Sequence, residues 1–121
     1  MQLVRRFQDQ RPRFEYGLHG IRLLPWEGLR TPFGGGYCIV APRSASACHV
    51  NSPADEEEIF ICIRGCAEVV IDDCATAVQF GDVIFIPRSA THFVRNNSDE
   101  PFHFYTVWWN RQSATDFLGN R

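Results

Sequence analysis

A chain of 121 residues and 13.9 kDa has the size of one domain and no room for two independent cores, so residues 1–121 read as one unit. Hydrophobic residues are 45% and charged residues 21% of the total, which excludes a disordered tail and a chain dominated by membrane helices. Net charge is -2, the pI is near 6.0, and no basic run is longer than Arg5-Arg6; nucleic acid is therefore not an expected partner, and a small molecule is.

The first residues, Met1 to Arg6, lack the apolar core of a signal peptide, and no stretch approaches the roughly 18 apolar residues of a membrane helix. No membrane association is expected. Five cysteines, at 38, 48, 62, 66 and 74, form an odd set with no pair at two-residue spacing. That argues against a disulfide scaffold or a zinc knuckle and for a reducing, cytoplasmic compartment, with most thiols acting as small buried hydrophobes.

In chain order, β-branched and apolar runs predict strands at Leu3 to Phe7, Phe14 to Leu18, Ile21 to Leu24, Tyr37 to Ala41 and Ser44 to Val50. They continue at Ile59 to Arg64, Ala67 to Ile71, Ala75 to Phe80, Val83 to Ile86, His92 to Arg95 and Phe102 to Trp108. Turn residues separate them: Asp72-Asp73, Phe80-Gly81-Asp82, and Asn96 through Pro101. The fold class is all-β. One short C-terminal helix is expected, capped by Ser113 with Asp116 three residues on. Gly34-Gly35-Gly36 reads as a wide turn or as a mobile flap over a pocket mouth.

Four histidines, at 19, 49, 92 and 103, restrict where a metal site can form. Period two puts His49 and Asn51 on one face of a strand. Glu58 opens a strand in which it shares a face with Phe60 and Cys62, while three isoleucines occupy the other. A carboxylate on a buried face needs a partner, because desolvating it alone costs several kcal/mol or more; a cation would serve. Glu57, in the run Asp55 to Glu58, is the competing candidate.

These residues make the chain resemble a single-domain cupin. The first cupin motif is a Gly, five residues, His-x-His, three or four residues, Glu, six residues, Gly. Here Arg43 takes the first Gly position, followed by five residues, His49, Asn51 at the second His position, Glu58, six residues and Gly65, with six residues between Asn51 and Glu58. The second motif, Gly, five residues, Pro-x-Gly, two residues, His, three residues, Asn, is matched by Gly81, Pro87, Ser89, His92 and Asn96. The resemblance implies a double-stranded β-helix, a jelly-roll-like barrel with a divalent metal inside its mouth, and often a homodimer.

By position it implies His49, Glu58 and His92 as metal ligands, with Asn51 touching the metal or its water. The His-x-Asn run also resembles the 3-hydroxyanthranilate dioxygenase branch. Two imidazoles and one carboxylate suit Fe(II) in a non-haem oxygenase or dioxygenase, and Zn, Mn or Ni can occupy the same donors. Pocket candidates are Phe60, Cys62 and Phe85, with one face of the last strand: Phe102, Phe104, Thr106 and Trp108, or His103, Tyr105, Val107 and Trp109. Arg43, Arg64 or Arg95 would pair a substrate carboxylate. The expected activity is therefore an Fe(II) oxygenase on an apolar or aromatic metabolite. The alternatives are a non-redox isomerase, cyclase or lyase, and a non-catalytic small-molecule-binding cupin.

Overall fold

The structure, a computed structural model, describes residues 3–52 and 55–119. Tyr16 and Gly17 both take positive φ, 53° and 73°, which is the two-residue hairpin geometry that matches strand twist. The run expected as one strand from Phe14 therefore reverses, giving β1 (Arg13–Glu15) and β2 (Leu18–Leu24) paired antiparallel with Glu15 opposite Leu18. The strand expected at Leu3 to Phe7 does not form. It finds no partner here: Leu3, Val4 and Phe7 are exposed, and Phe7–Asp9 closes a 3-10 turn with the Phe7 ring edge-on to Tyr37.

The triple glycine is neither turn nor flap, because it opens β3 (Gly34–Val40), a strand paired on both sides. A side chain at Gly34 would start 2.4 Å from the Trp108 indole nitrogen, and one at Gly36 would start 2.7 Å from the Ile21 carbonyl oxygen. Glycine is required there by close approach, not by a bend. After β4 (Ser44–Ala45), shorter than expected, the backbone keeps one more bond to its neighbouring strand, from Ser46 N–H to the Val94 carbonyl at 2.8 Å, and meets it again at an isolated His49–His92 bridge.

The remaining strands are β5 (Glu56–Arg64), β6 (Cys66–Ile71), β7 (Cys74–Gln79), β8 (Val83–Ile86), β9 (His92–Asn96) and β10 (Phe102–Asn110), followed by α1 (Arg111–Gly119). They form a six-stranded sheet ordered β1-β2-β3-β10-β5-β8 and a four-stranded sheet ordered β4-β9-β6-β7. Every recorded pairing is antiparallel. Gly65, at φ 83°, is the single residue that passes the chain from β5 in one sheet to β6 in the other. Pro53 and Ala54, inside the loop that lengthens the first motif, lie outside the described residues.

Between the sheets lie Val40, Phe60, Cys62, Val69, Val78, Ile86, Val94, Phe102 and Phe104. The first of the two faces weighed for β10 is thus the inward one. Of the five thiols, Cys62 is buried and Cys38 half-buried, while Cys48, Cys66 and Cys74 are exposed, and all five are free. The C-terminal helix forms, but Asn110 caps it through its side-chain oxygen, which accepts from the Ser113 backbone N–H at 2.8 Å. Ser113, expected as the cap, lies inside the first turn because β10 runs directly into the helix. Among the described residues no helix is long and apolar enough to cross a membrane.

Candidate functional site

At one end the two sheets part around a cavity of about 340 Å³. Its floor and one wall come from alternate residues of the six-stranded sheet: Glu58 and Phe60 on β5, Phe104, Thr106 and Trp108 on β10, Gly36 and Cys38 on β3, and Gly20 and Arg22 on β2. Register fixes their order, since Phe60 lies beside Thr106, Thr106 beside Gly36, and Gly36 beside Arg22. His92 and Val94 on β9 and the segment holding Ser46, His49, Val50, Asn51 and Ser52 supply the opposite wall.

The fold brings His49, Asn51, Glu58 and His92 together. The two imidazoles lie 4.5 Å apart between ring centroids, and His92 Nε2 is 3.7 Å from Glu58 Oε1. Each imidazole is oriented in the same way: Nδ1 contacts the carbonyl oxygen two residues back, Ala47 for His49 at 3.1 Å and Ala90 for His92 at 3.2 Å. A carbonyl only accepts, so Nδ1 carries the hydrogen and Nε2 keeps its lone pair in the neutral ring. Burial holds His92 below the ordinary imidazole pKa, against the opposing pull of the Ala90 carbonyl. Tyr16, from the β1–β2 turn, stacks on His49 at 4.8 Å and 23°.

Glu58 is buried. Thr106 Oγ1 and Asn51 Nδ2 each donate to one of its oxygens. Burial raises the carboxyl pKa, and those two hydrogen bonds and nearby His49 oppose the rise. Asn51 thus touches the carboxylate. Two Nε2 lone pairs and a carboxylate on one cavity are donors that could hold a divalent transition metal. As the side chains stand, Glu58 is satisfied by neutral donors, and among the described residues no three His, Cys, Asp or Glu groups converge to coordination distance.

Phe60, Phe104 and Trp108 line the cavity. Cys62 does not: it is packed into the core deeper along β5, where burial pushes its thiol up to about 11. Phe85 is on the outer face, 49% exposed, because β8 pairs Phe85 with outward Ile59 rather than with Phe60. Arg43 is bound to Asp99 outside the cavity, at 2.8 Å. Arg95 is held by Glu68 at 3.1 Å, and Arg64 is absent from the cavity lining. Glu57, the competitor of Glu58, points away and receives two hydrogen bonds from Arg111.

The residues that sequence reasoning missed are Glu15, Tyr16, Arg22 and Cys38. Burial, with Glu58 as the next contributor, pushes the Cys38 thiol up to about 12 and keeps it protonated. The alternation Leu18-x-Gly20-x-Arg22 carried a signal for Arg22, since Gly20 pairs with Cys38 on the inward face.

A family model described as a cupin domain matches residues 36–108. The plu4264 protein from Photorhabdus luminescens is similar over 99% of this chain and 98% of its own, with 44% identity and a TM-score of 0.85. A cupin 2 conserved barrel domain protein from Salinispora arenicola CNS-205 is similar over 100% of this chain and 98% of its own, with 33% identity and a TM-score of 0.83. A curated mannose-1-phosphate guanylyltransferase of Sinorhizobium fredii is 31% identical over 84 residues, which is 65% of this chain but only 16% of that protein.

Proposed function

Because the chain belongs to the cupin family, whose members often bind metals, we propose that it is a metal-dependent enzyme for a small apolar or aromatic metabolite, of the mononuclear non-haem Fe(II) oxygenase kind. One observation carries this reading: two histidines, each with Nδ1 committed to a backbone carbonyl, present Nε2 beside a buried carboxylate in an apolar-walled cavity. His49, Glu58 and His92 are the residues that would hold the ion. Fe(II) is favoured, and Zn, Mn or Ni suit the same donors. When bound, such an ion supplies Lewis acidity and, if iron, redox chemistry with dioxygen, with about three positions left open by the protein.

The chain's own residues do the rest. Thr106 and Asn51 orient Glu58, and the stacked Tyr16 ring limits the tilt of His49. Phe60, Phe104 and Trp108 present an apolar wall that displaces water and suits a ring or acyl group.

The test is metal analysis of protein purified without added metal, followed by oxygen uptake with candidate aromatic and acyl metabolites. About one ion per chain, lost at least tenfold in His49→Ala and His92→Ala but kept in Glu57→Gln, is expected. Equal occupancy in all forms would overturn the site. A second reading, a ligand-binding cupin without chemistry, is favoured by the complete hydrogen bonding of Glu58 to neutral groups; retained ligand binding with no stoichiometric metal under any loading would establish it instead.

The proposed setting is the cytoplasm, and the proposed assembly a homodimer through the outer face of the six-stranded sheet. Ile59 and Ile61 sit there beside Val83 and Phe85, which are 63% and 49% exposed, and Tyr105 at 40%.

A further inference from the structure

Arg22 supplies the one guanidinium among the described residues that line the cavity. It lies on the inward row that runs from Phe60 through Thr106 and Gly36. Gly36 has no side chain, so nothing on β3 at this row stands between Thr106 and Arg22. Two strand steps of about 4.8 Å separate β10 from β2, placing Arg22 roughly 10 Å from the end of the cavity where Thr106 meets Glu58. Further along the same strands the wall continues through Cys38 and Phe104, which share the next inward row, to Leu18, with the Cys38 thiol uncharged.

At the rim Arg22 Nη2 meets Glu15 Oε1 at 3.1 Å, and Arg13 approaches the other Glu15 oxygen at 3.8 Å. At this rim contact one carboxylate faces two guanidiniums, a local excess of one positive charge, while Glu56 lines the cavity elsewhere. Arg22 is also 55% exposed in its side chain, so its remaining N–H donors are open to a ligand.

We propose that Arg22 anchors the carboxylate of an elongated, apolar monocarboxylic acid, whose other end reaches the His49, Glu58 and His92 cluster. A single net charge suits a monoanion better than a dianionic phosphate, and an Arg fork suits the two carboxylate oxygens. The inference deepens the proposed function only at the far end of the ligand; the anchor itself needs no metal.

The probes are 4-phenylbutyrate and its neutral amide, with binding followed by tryptophan fluorescence, since Trp108 lines the cavity. Titrations use the protein as purified and again after chelator treatment. The acid is expected to bind about tenfold more tightly than the amide, as a charge-assisted hydrogen bond supplies, with the same ratio in both preparations. Arg22→Gln should bring the ratio to near one, Arg22→Lys should keep part of it, and Arg43→Gln should leave it unchanged. Glu15→Gln, which frees the guanidinium, should tighten the acid several-fold and leave the amide unaffected. That variant decides the matter if Arg22→Gln fails to fold. Equal affinity of acid and amide, or a preference that survives Arg22→Gln, would overturn the proposal. A preference that vanishes with the chelator and ignores Arg22 would place the carboxylate on the ion instead. Absence of stoichiometric metal under any loading, with the preference intact, would overturn the proposed function while sparing the anchor.

Discussion

Asn96, the last residue of the second cupin motif, is fully buried, and its amide is consumed by structure. Its Nδ2 donates to the carbonyls of Val40, Ala41 and Glu100, and its Oδ1 accepts from the backbone and hydroxyl of Ser98. The side chain clasps the turn between β9 and β10 to the end of β3. Asn96→Ala would orphan several buried groups, each costing about 1–3 kcal/mol. A loss of about 3 kcal/mol or more in a urea titration is expected, with unchanged metal occupancy in whatever fraction stays folded. His103 offers a second test, on the outer face, where Tyr37 OH lies 2.7 Å from its Nδ1. Burial and the Arg64 guanidinium hold its pKa below the ordinary value. Below about pH 6.5 the unfolded chain binds that proton first, so stability falls as pH drops. Denaturation midpoints between pH 7 and 5 should fall less steeply in His103→Gln than in wild type.

At the scale of elements, β3 depends on what its glycines leave out. Gly34→Ala forces a methyl against the Trp108 ring; a cost of about 1–3 kcal/mol is expected from overpacking, measured by thermal melting, with Gly81→Ala, whose surroundings are open, serving to isolate the effect of positive φ alone. Period two was enough to put Glu58 with Phe60, and Phe104 with Trp108, without choosing which face of the last strand turns inward, and motif spacing pointed to His49 and His92, which the fold brings to one cavity. Three things were not legible. The Tyr16-Gly17 turn carries little local signal, because tyrosine is not a usual left-handed residue. The triple glycine was read for flexibility, whereas its role is set by an indole and a carbonyl from strands far along the chain. Phe85 sits outward because its phase is set by its pairing with Ile59, which a sequence of four apolar residues, Val83 to Ile86, does not display.

Over the whole molecule, the outer face of β3, β10, β5 and β8 carries Tyr37, Tyr105, Ile61 and Val83 in one row across four strands. An apolar band of that extent on a sheet whose edge strand is exposed is what a self-associating interface requires. Sedimentation of wild type is expected to give a dimer at micromolar concentration, and Tyr105→Glu combined with Val83→Glu a folded monomer with the same metal content as wild type. A wild-type monomer at all concentrations would remove the proposed assembly.

The placement of the thiols equips the protein with an internal clock for its own opening. Cys48, Cys66 and Cys74 are exposed, whereas Cys62 is walled into the core and Cys38 faces the cavity with its thiol pushed up to about 12. An alkylating reagent should therefore consume three equivalents in a fast phase, because these three thiols are accessible to it. The last two should follow at rates set by conformational excursions: Cys62 by global unfolding, Cys38 by parting of the sheets at the cavity end. An occupant lodged between Arg22 and Glu58 would slow the Cys38 phase and leave the Cys62 phase nearly unchanged, so mass spectrometry of the two modified peptides would separate local breathing from unfolding in one experiment.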